Sequence, residues 1–130
     1  MKTTGVIGAG SWGTALATVL AGKGGSVKIW DIDEKHLRSM EENRENVDYL
    51  PGVPLNENIK IAYTVEEALA DADVVLFSAP AQHFRSALTS ALGHIKDDAL
   101  IINVAKGIEQ KTLLRMSQIA ADHIDMDRYV

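Results

Sequence analysis

The chain contains no cysteine, and among its 130 residues only 5% are aromatic and three are proline. The absence of cysteine excludes disulfide bonds, thiolate metal sites and cysteine nucleophiles. Because aromatic side chains are scarce, Val, Ile, Leu and Ala must form the core, and this aliphatic bias is typical of a parallel sheet covered by helices on both faces. The length is that of one ordinary domain, so residues 1–130 are predicted to form a single one.

Positive charge is also scarce. Lys and Arg number 13 against 18 Asp and Glu, which gives a net charge of -5. This balance argues against a nucleic-acid or membrane-surface partner. Gly8 and Gly10 interrupt the N-terminal apolar run, unlike a secretory signal peptide, and no run approaches the ~20 apolar residues that span a bilayer. The four histidines lack metal-ligand spacing, so we expect no metal site. A chain without cysteine fits residence in the cytoplasm, which we expect for this protein.

Short apolar runs alternate with helical patterns along the chain. Strands are predicted at residues 5–7, 27–30, 59–62, 74–77 and 100–104, with the beginning of another at 129–130. Helices are predicted at about 11–23, 33–44, 64–71, 82–92 and 111–123, the third opened by Thr64 as N-cap with Glu67 three residues on. The segment 46–58, with Pro51 and Pro54, is predicted to be a loop. This order predicts an α/β, doubly wound (Rossmann-like) parallel sheet flanked by helices.

The segment Gly8–Gly13 matches the pattern G-x-G-x-x-G. It follows a predicted strand and opens a predicted helix, a context that favours a dinucleotide site over the alternative of an ordinary glycine-rich turn. Gly8 permits the tight turn, Gly10 lets a pyrophosphate approach the backbone, and Gly13 lets the helix pack closely on the sheet. The helix N-terminus then presents free N–H groups and a positive dipole end to the phosphates.

An acidic residue, Asp31, ends the second predicted strand. It follows the glycine run by about 20 residues, where an acid commonly binds the adenosine ribose hydroxyls. A carboxylate there accepts a hydrogen bond from the 2′-OH and repels a 2′-phosphate, so we predict NAD as the cofactor rather than NADP. Asp33 is the alternative ribose ligand, or else it caps the next helix.

Several segments resemble one enzyme family. Residues 8–17 resemble the opening signature of NAD(P)-dependent glycerol-3-phosphate dehydrogenases, residues 46–53 resemble the N-x-x-Y-L-P-G element, and residues 104–109 resemble the K-G-[IL]-E element. The segment Ser78–Pro80 stands where the family usually has V-P-S or similar. The likeness to the N-terminal cofactor-binding domain of this family extends over nearly the whole chain.

The resemblance implies reversible reduction of dihydroxyacetone phosphate by NAD(P)H to sn-glycerol 3-phosphate, a precursor of phospholipids. It implies that Ser11 and Trp12 contact the cofactor, that Ile32 lies against the adenosine, and that Pro80 lines the nicotinamide site. Lys106 would lie near the nicotinamide and the substrate, where a cation holds phosphate or polarises the carbonyl. The alternatives are structural: Trp12 as a packing residue, Pro80 as the end of a strand, and Lys106 as a solvated turn lysine.

The chain departs from the family pattern in two respects. Many members have a small residue at position 31 and a basic residue or His at 32 or 33, whereas Asp31-Ile32-Asp33 stands here, which again favours NAD. The family also continues with a helical substrate domain that supplies a catalytic lysine and holds its homodimers together. We therefore interpret the chain as an N-terminal fragment that is inactive alone. The alternative is a stand-alone nucleotide-binding or sensing module without catalysis.

Overall fold

Five parallel strands form the main sheet of the structure, a computed structural model that describes residues 2–130. Strands and helices alternate along the chain in the order β1 (Thr3–Ile7), α1 (Ser11–Gly22), β2 (Ser26–Trp30), α2 (Glu34–Asn43), β3 (Glu45–Asn46), β4 (Leu50–Pro54), β5 (Ile59–Ile61), α3 (Val65–Leu69), β6 (Val74–Phe77), α4 (Ala81–Ala91), β7 (Leu100–Asn103) and α5 (Met116–Ala121). Two short 3₁₀ turns, Leu92–His94 and Met126–Arg128, follow α4 and α5.

The sheet has the strand order β5-β2-β1-β6-β7, with every neighbouring pair parallel. From β1 the chain first adds strands on one side, β2 and β5, and then crosses to the other side to add β6 and β7. This confirms the predicted doubly wound sheet. The direction in which strands are added reverses between β1 and β6, which is the switch point of the sheet. Ligands of such sheets bind beyond the carboxyl ends of the strands at the switch point.

Both faces of the sheet are buried, as the aliphatic composition predicts. Successive residues of β1 and β6 point to opposite faces. Ile7 and Phe77 pack into the core beneath α3, α4 and α5, and Val6 and Leu76 pack into the core beneath α1 and α2. Phe84 of α4 meets Phe77 edge to face, with ring centroids 5.6 Å apart. The central strands are therefore held rigidly from both sides, which fixes the positions of the turns that follow them.

The last two residues extend the sheet beyond β7. The Val130 N–H donates to Ile101 O at 2.7 Å, the Asn103 N–H donates to Val130 O at 2.9 Å, and Tyr129 forms a parallel bridge with Ile101. The predicted beginning of another strand is therefore confirmed.

The predicted helix start at Thr64 is confirmed as well. Its hydroxyl accepts a hydrogen bond from the Glu67 N–H at 3.0 Å. The Glu67 carboxylate accepts from the Tyr63 N–H at 3.2 Å, one residue before the N-cap. The helix ends at Leu69, earlier than the predicted end near Asp71, because Asp71 has the left-handed φ of 60°.

The prediction of a helix over residues 111–123 is wrong in its first part, because α5 spans only Met116–Ala121. Before it, Leu113 has a left-handed φ of 62° and donates its N–H to Glu109 O, while the Glu109 N–H donates to Leu114 O. These bonds close a tight turn where the apolar spacing indicated a helix. A leucine with positive φ is uncommon, so the sequence carries no local signal for this turn.

The prediction of a loop over residues 46–58 is also partly wrong. Glu45–Asn46 and Leu50–Pro54 form a small antiparallel hairpin, and Gly52 has a φ of 85°. Pro51 and Pro54 led to the prediction of a loop, because proline has no N–H to donate to a neighbouring strand. A two-stranded hairpin has free edges, where a missing donor is tolerated.

Within residues 2–130, no helix combines the length and the apolar character needed to cross a membrane. In the same part of the chain, no three His, Asp or Glu side chains are grouped as they would be around a metal ion.

An ion pair connects the amino ends of strands β1, β6 and β7, at the edge of the sheet opposite the switch point. The Asp73 carboxylate accepts from Lys96 Nζ at 2.7 Å and from the Thr3 N–H at 3.0 Å. The hydrogen bond from Lys96, followed by that from Thr3, lowers the pKa of Asp73 from its ordinary value. The stabilisation by this carboxylate is therefore full above the unfolded-state pKa of about 3.9 and is lost as the pH falls through the lower folded-state pKa.

We expect Asp73→Asn to lower the melting temperature at pH 7 by a few degrees at most, because both partners are 38% exposed and solvent screens the pair. The difference from wild type should shrink as the pH falls below the unfolded-state pKa of about 3.9 and through the lower pKa of the folded-state carboxylate, because the wild-type carboxylate then takes up a proton as well. Thermal unfolding followed by circular dichroism across this range measures it. Asp97→Asn, at an exposed carboxylate, is the matched control. A difference that stays constant with pH would contradict the assignment.

Candidate cofactor-binding site

The turn from β1 into α1 requires glycine at position 8. Gly8 has a φ of 115°, its N–H donates to Trp30 O at 2.7 Å, and a Cβ there would lie 2.9 Å from Ala79 N. The Ser78 hydroxyl donates to Gly8 O at 3.1 Å. The turn is thereby joined to the ends of both β2 and β6, directly at the switch point, as the predicted tight turn requires.

Open space lies over Gly10, the N-cap of α1. A Cβ on Gly10 would have no neighbour within 4 Å among the described residues, and no side chain caps the N-terminus of the helix. The first turn of α1 contains no acidic residue. Its N–H groups and the positive end of the helix dipole are therefore available to an anion.

Gly13 lies where α1 crosses the turn. A Cβ on Gly13 would overlap Gly8 O and Ser78 Oγ. The residue is buried, so α1 packs closely on the end of the sheet as predicted. The three glycines thus meet three different requirements: a left-handed backbone at Gly8, open space at Gly10 and close packing at Gly13.

The geometry distinguishes the two acidic candidates after β2. One oxygen of the Asp31 carboxylate accepts from the Ala9 N–H at 2.9 Å and the other accepts from the Asp33 N–H at 3.0 Å. Asp33 is the N-cap of α2 and accepts from the His36 N–H at 3.2 Å. Asp31 is therefore the acid attached to the glycine-rich turn. Each of its oxygens retains acceptor capacity for a second donor such as a ribose hydroxyl.

Large apolar side chains stand exposed beside the turn. Trp12 is 70% exposed in the first turn of α1, next to exposed Ser11, and Ile32 is 86% exposed directly after Asp31. Trp12 therefore does not pack into the core of the described residues. Both apolar side chains are free to cover a flat ligand.

Two further candidates lie beyond the carboxyl ends of β6 and β7. Pro80 is exposed and is the N-cap of α4. Lys106 is exposed and precedes Gly107, which has a φ of 113°. A Cβ on Gly107 would lie 3.7 Å from the Ala81 Cβ, at ordinary contact distance. The turn that carries Lys106 therefore lies against the start of α4.

Two residues at this site were not among the predicted cofactor ligands. Asn46 Nδ2 donates to Ala9 O at 2.9 Å and to Thr14 Oγ1 at 2.8 Å, and His36 Nε2 lies 2.8 Å from Ala9 O. Asn46 and His36 are both buried. Asn46 belongs to the N-x-x-Y-L-P-G element, which was the one available signal. His83, the histidine closest in sequence to Pro80, is exposed on α4.

Tyr49 anchors its own loop to this network. Its N–H donates to Asn46 Oδ1 at 3.1 Å, and its ring meets the His36 ring edge to face with centroids 5.1 Å apart. The side chain remains 57% exposed. The hairpin of β3 and β4 is in this way attached to the glycine-rich turn.

One known protein family matches nearly the whole chain. The sequence profile of the family described as the N-terminus of NAD-dependent glycerol-3-phosphate dehydrogenase matches residues 3–130. The chain belongs to this family. Among its relatives, the NAD(P)+ glycerol-3-phosphate dehydrogenase of Pelotomaculum thermopropionicum is 41% identical over 128 residues, covering 96% of this chain and 37% of that protein. The enzyme of the same name from Bacillus subtilis is 40% identical over 127 residues, covering 98% and 37%.

Solved structures of glycerol-3-phosphate dehydrogenases share the fold. The enzyme of Coxiella burnetii superposes with a TM-score of 0.88 at 30% identity, covering 94% of this chain and 37% of that one. The Plasmodium falciparum enzyme gives a TM-score of 0.82 at 27% identity, covering 96% and 38%. The chain thus spans just over a third of the length of the glycerol-3-phosphate dehydrogenases that it matches.

Proposed function

We propose that this chain is the cofactor-binding domain of a glycerol-3-phosphate dehydrogenase. The enzyme would reversibly transfer a hydride between NAD(H) and dihydroxyacetone phosphate, giving sn-glycerol 3-phosphate. The observation that carries the proposal is the glycine-rich turn at the switch point, with open space over Gly10 and the uncapped N-terminus of α1 behind it. The relatives are named as NAD(P)+ glycerol-3-phosphate dehydrogenases.

In this proposal the dinucleotide extends along the carboxyl edge of the sheet. The pyrophosphate lies over Gly10, where the helix dipole favours its charge. The adenosine ribose donates to Asp31, with Ile32 against the adenine, and Ser11 and Trp12 contact the phosphates. The nicotinamide, which supplies or accepts the hydride, reaches the far side of the switch point near Pro80.

Lys106 is the residue of this chain proposed to contact the substrate. It is exposed at the carboxyl edge of the sheet, beside the start of α4, where its ammonium group would be available to a phosphate or carbonyl oxygen of the substrate. A cation placed there holds the phosphate or stabilises negative charge on the carbonyl oxygen. A second, helical domain would supply the catalytic lysine, most phosphate contacts and the homodimer interface of a cytoplasmic enzyme.

The preference between NADH and NADPH tests the assignment of Asp31 to the adenosine ribose. We expect the wild-type chain to bind NADH at least about tenfold more tightly than NADPH, because the 2′-phosphate loses a charge-assisted hydrogen bond to Asp31 and meets its negative charge. Asp31→Ala should bring the two affinities close together. Calorimetric titration of both cofactors against both proteins gives the ratio directly.

The ratio of the NADH and NADPH affinities reports the contact with the ribose separately from other effects of the substitution. Asp31 also accepts from the Ala9 N–H, so Asp31→Ala disturbs the turn, but this disturbance affects both cofactors alike because both carry the same pyrophosphate. Asp33→Ala is the matched control, since Asp33 caps α2 and should leave the ratio unchanged. A ratio that collapses in Asp33→Ala and persists in Asp31→Ala would assign the ribose contact to Asp33.

A further inference from the structure

The Ala9 carbonyl is held by two buried side chains that come from separate elements. Asn46 Nδ2, from β3, donates to Ala9 O at 2.9 Å, and His36 Nε2, from α2, lies 2.8 Å from the same oxygen. Because a carbonyl oxygen only accepts, the His36 ring must carry its proton on Nε2. We name Asn46 and His36 together the carbonyl clamp.

The clamp has an effect on the opposite side of the peptide. In a planar trans peptide the C=O of one residue and the N–H of the next point in opposite directions. A Cβ on Gly10 would have no neighbour within 4 Å among the described residues, so open space lies beside this peptide. The clamp directs Ala9 O inward, so the Gly10 N–H points in the opposite direction, away from Asn46 and His36. That N–H group faces the position proposed for the pyrophosphate.

The peptide group between Gly8 and Ala9 is fixed as well, because the Ala9 N–H donates to Asp31 at 2.9 Å. The remaining polar groups of Asn46 are satisfied: Nδ2 also donates to Thr14 Oγ1 at 2.8 Å, and Oδ1 accepts from the Tyr49 N–H at 3.1 Å. A fully satisfied buried amide has one orientation and is rigid. Asn46 therefore holds the Ala9 carbonyl of the turn in one orientation.

We propose that Asn46 and His36 are positioning residues for the dinucleotide: they aim the Gly10 N–H at the pyrophosphate by holding Ala9 O. The inference rests on the proposed function, since it presupposes a dinucleotide over Gly10. It gives a physical role to the asparagine of the N-x-x-Y-L-P-G element, which lies 37 residues from Ala9 in sequence and contacts it directly.

The test is NADH affinity in variants that remove or retain the donors. Asn46→Asp has the same shape but lacks N–H donors, and we expect it to raise the NADH dissociation constant at least about fivefold. His36→Leu removes the second donor and should weaken binding severalfold. His36→Gln places an amide N–H near the position of Nε2 and should restore most of the affinity.

Thermal unfolding of each variant separates positioning from a general loss of stability. Ile119→Val removes one methylene from a side chain of α5, in the core on the face of the sheet opposite α1, so it should lower the melting temperature and leave NADH affinity unchanged. If Asn46→Asp does not fold, the two His36 variants decide the outcome. Wild-type affinity in His36→Leu, or equal losses in His36→Leu and His36→Gln, would overturn the clamp. No NADH binding by the wild-type chain would instead overturn the proposed function.

Discussion

Replacing Gly13 with alanine should reduce NADH affinity by about a hundredfold and lower the melting temperature by about 5 °C or more. The new Cβ would overlap Gly8 O and Ser78 Oγ. The serine side chain can rotate away, but the Gly8 carbonyl is backbone, so α1 must move away from the turn. That movement displaces the helix N-terminus from the phosphates and opens the packing between α1 and the sheet.

Two other glycines, at the two ends of α1, provide controls for this prediction. Gly22→Ala, at the other end of α1, would place its Cβ where no atom lies within 4 Å, so it should be neutral or slightly stabilising because alanine is the better helix former. Gly10→Ala also has room for its Cβ, and we expect an unchanged melting temperature but weaker NADH binding, because the methyl group occupies the approach of the pyrophosphate. If Gly13→Ala melts and binds NADH as wild type does, α1 does not pack as described.

The strands and the glycine-rich turn could be predicted because their signals are local. A run such as Val74–Phe77 is apolar throughout because both sheet faces are buried, and Gly8 and Gly13 are separated by the spacing that a strand–turn–helix junction needs. The spacing also restricted the ribose ligand to Asp31 or Asp33. Only the geometry assigned the turn contact to Asp31 and the helix cap to Asp33.

The carbonyl clamp could not be predicted because its signal is not local. His36 lies 27 residues from Ala9 in sequence, and its own surroundings read as a solvated helix of charged residues. Its burial depends on how α2 and the hairpin of β3 and β4 fold back over the turn. The first part of the predicted last helix does not form for a different reason: Leu113 takes a left-handed conformation, which is uncommon for leucine, in a turn closed by hydrogen bonds among Glu109, Leu113 and Leu114.

Lys106→Ala should lower kcat/KM for dihydroxyacetone phosphate by about a hundredfold or more in a full-length enzyme that carries this domain, because removing one preorganised group that stabilises developing charge typically has an effect of that size. The NADH dissociation constant should change much less than kcat/KM, since the proposed pyrophosphate and ribose contacts lie at Gly10 and Asp31 and Lys106 lies only near the nicotinamide. Steady-state kinetics with both substrates, together with NADH titration, separates the two quantities.

A variant that keeps the positive charge and a control at another exposed lysine decide which role Lys106 has. Lys106→Arg keeps a cation at the carboxyl edge and should recover much of the loss if Lys106 holds the phosphate, because guanidinium binds phosphate well. It should recover little if the ammonium group must meet one carbonyl oxygen. Lys111→Ala removes an exposed lysine from the same segment and should leave the kinetics unchanged. If Lys106→Ala behaves as Lys111→Ala does, Lys106 is a solvated turn lysine, and the substrate must be held by residues of the second domain alone.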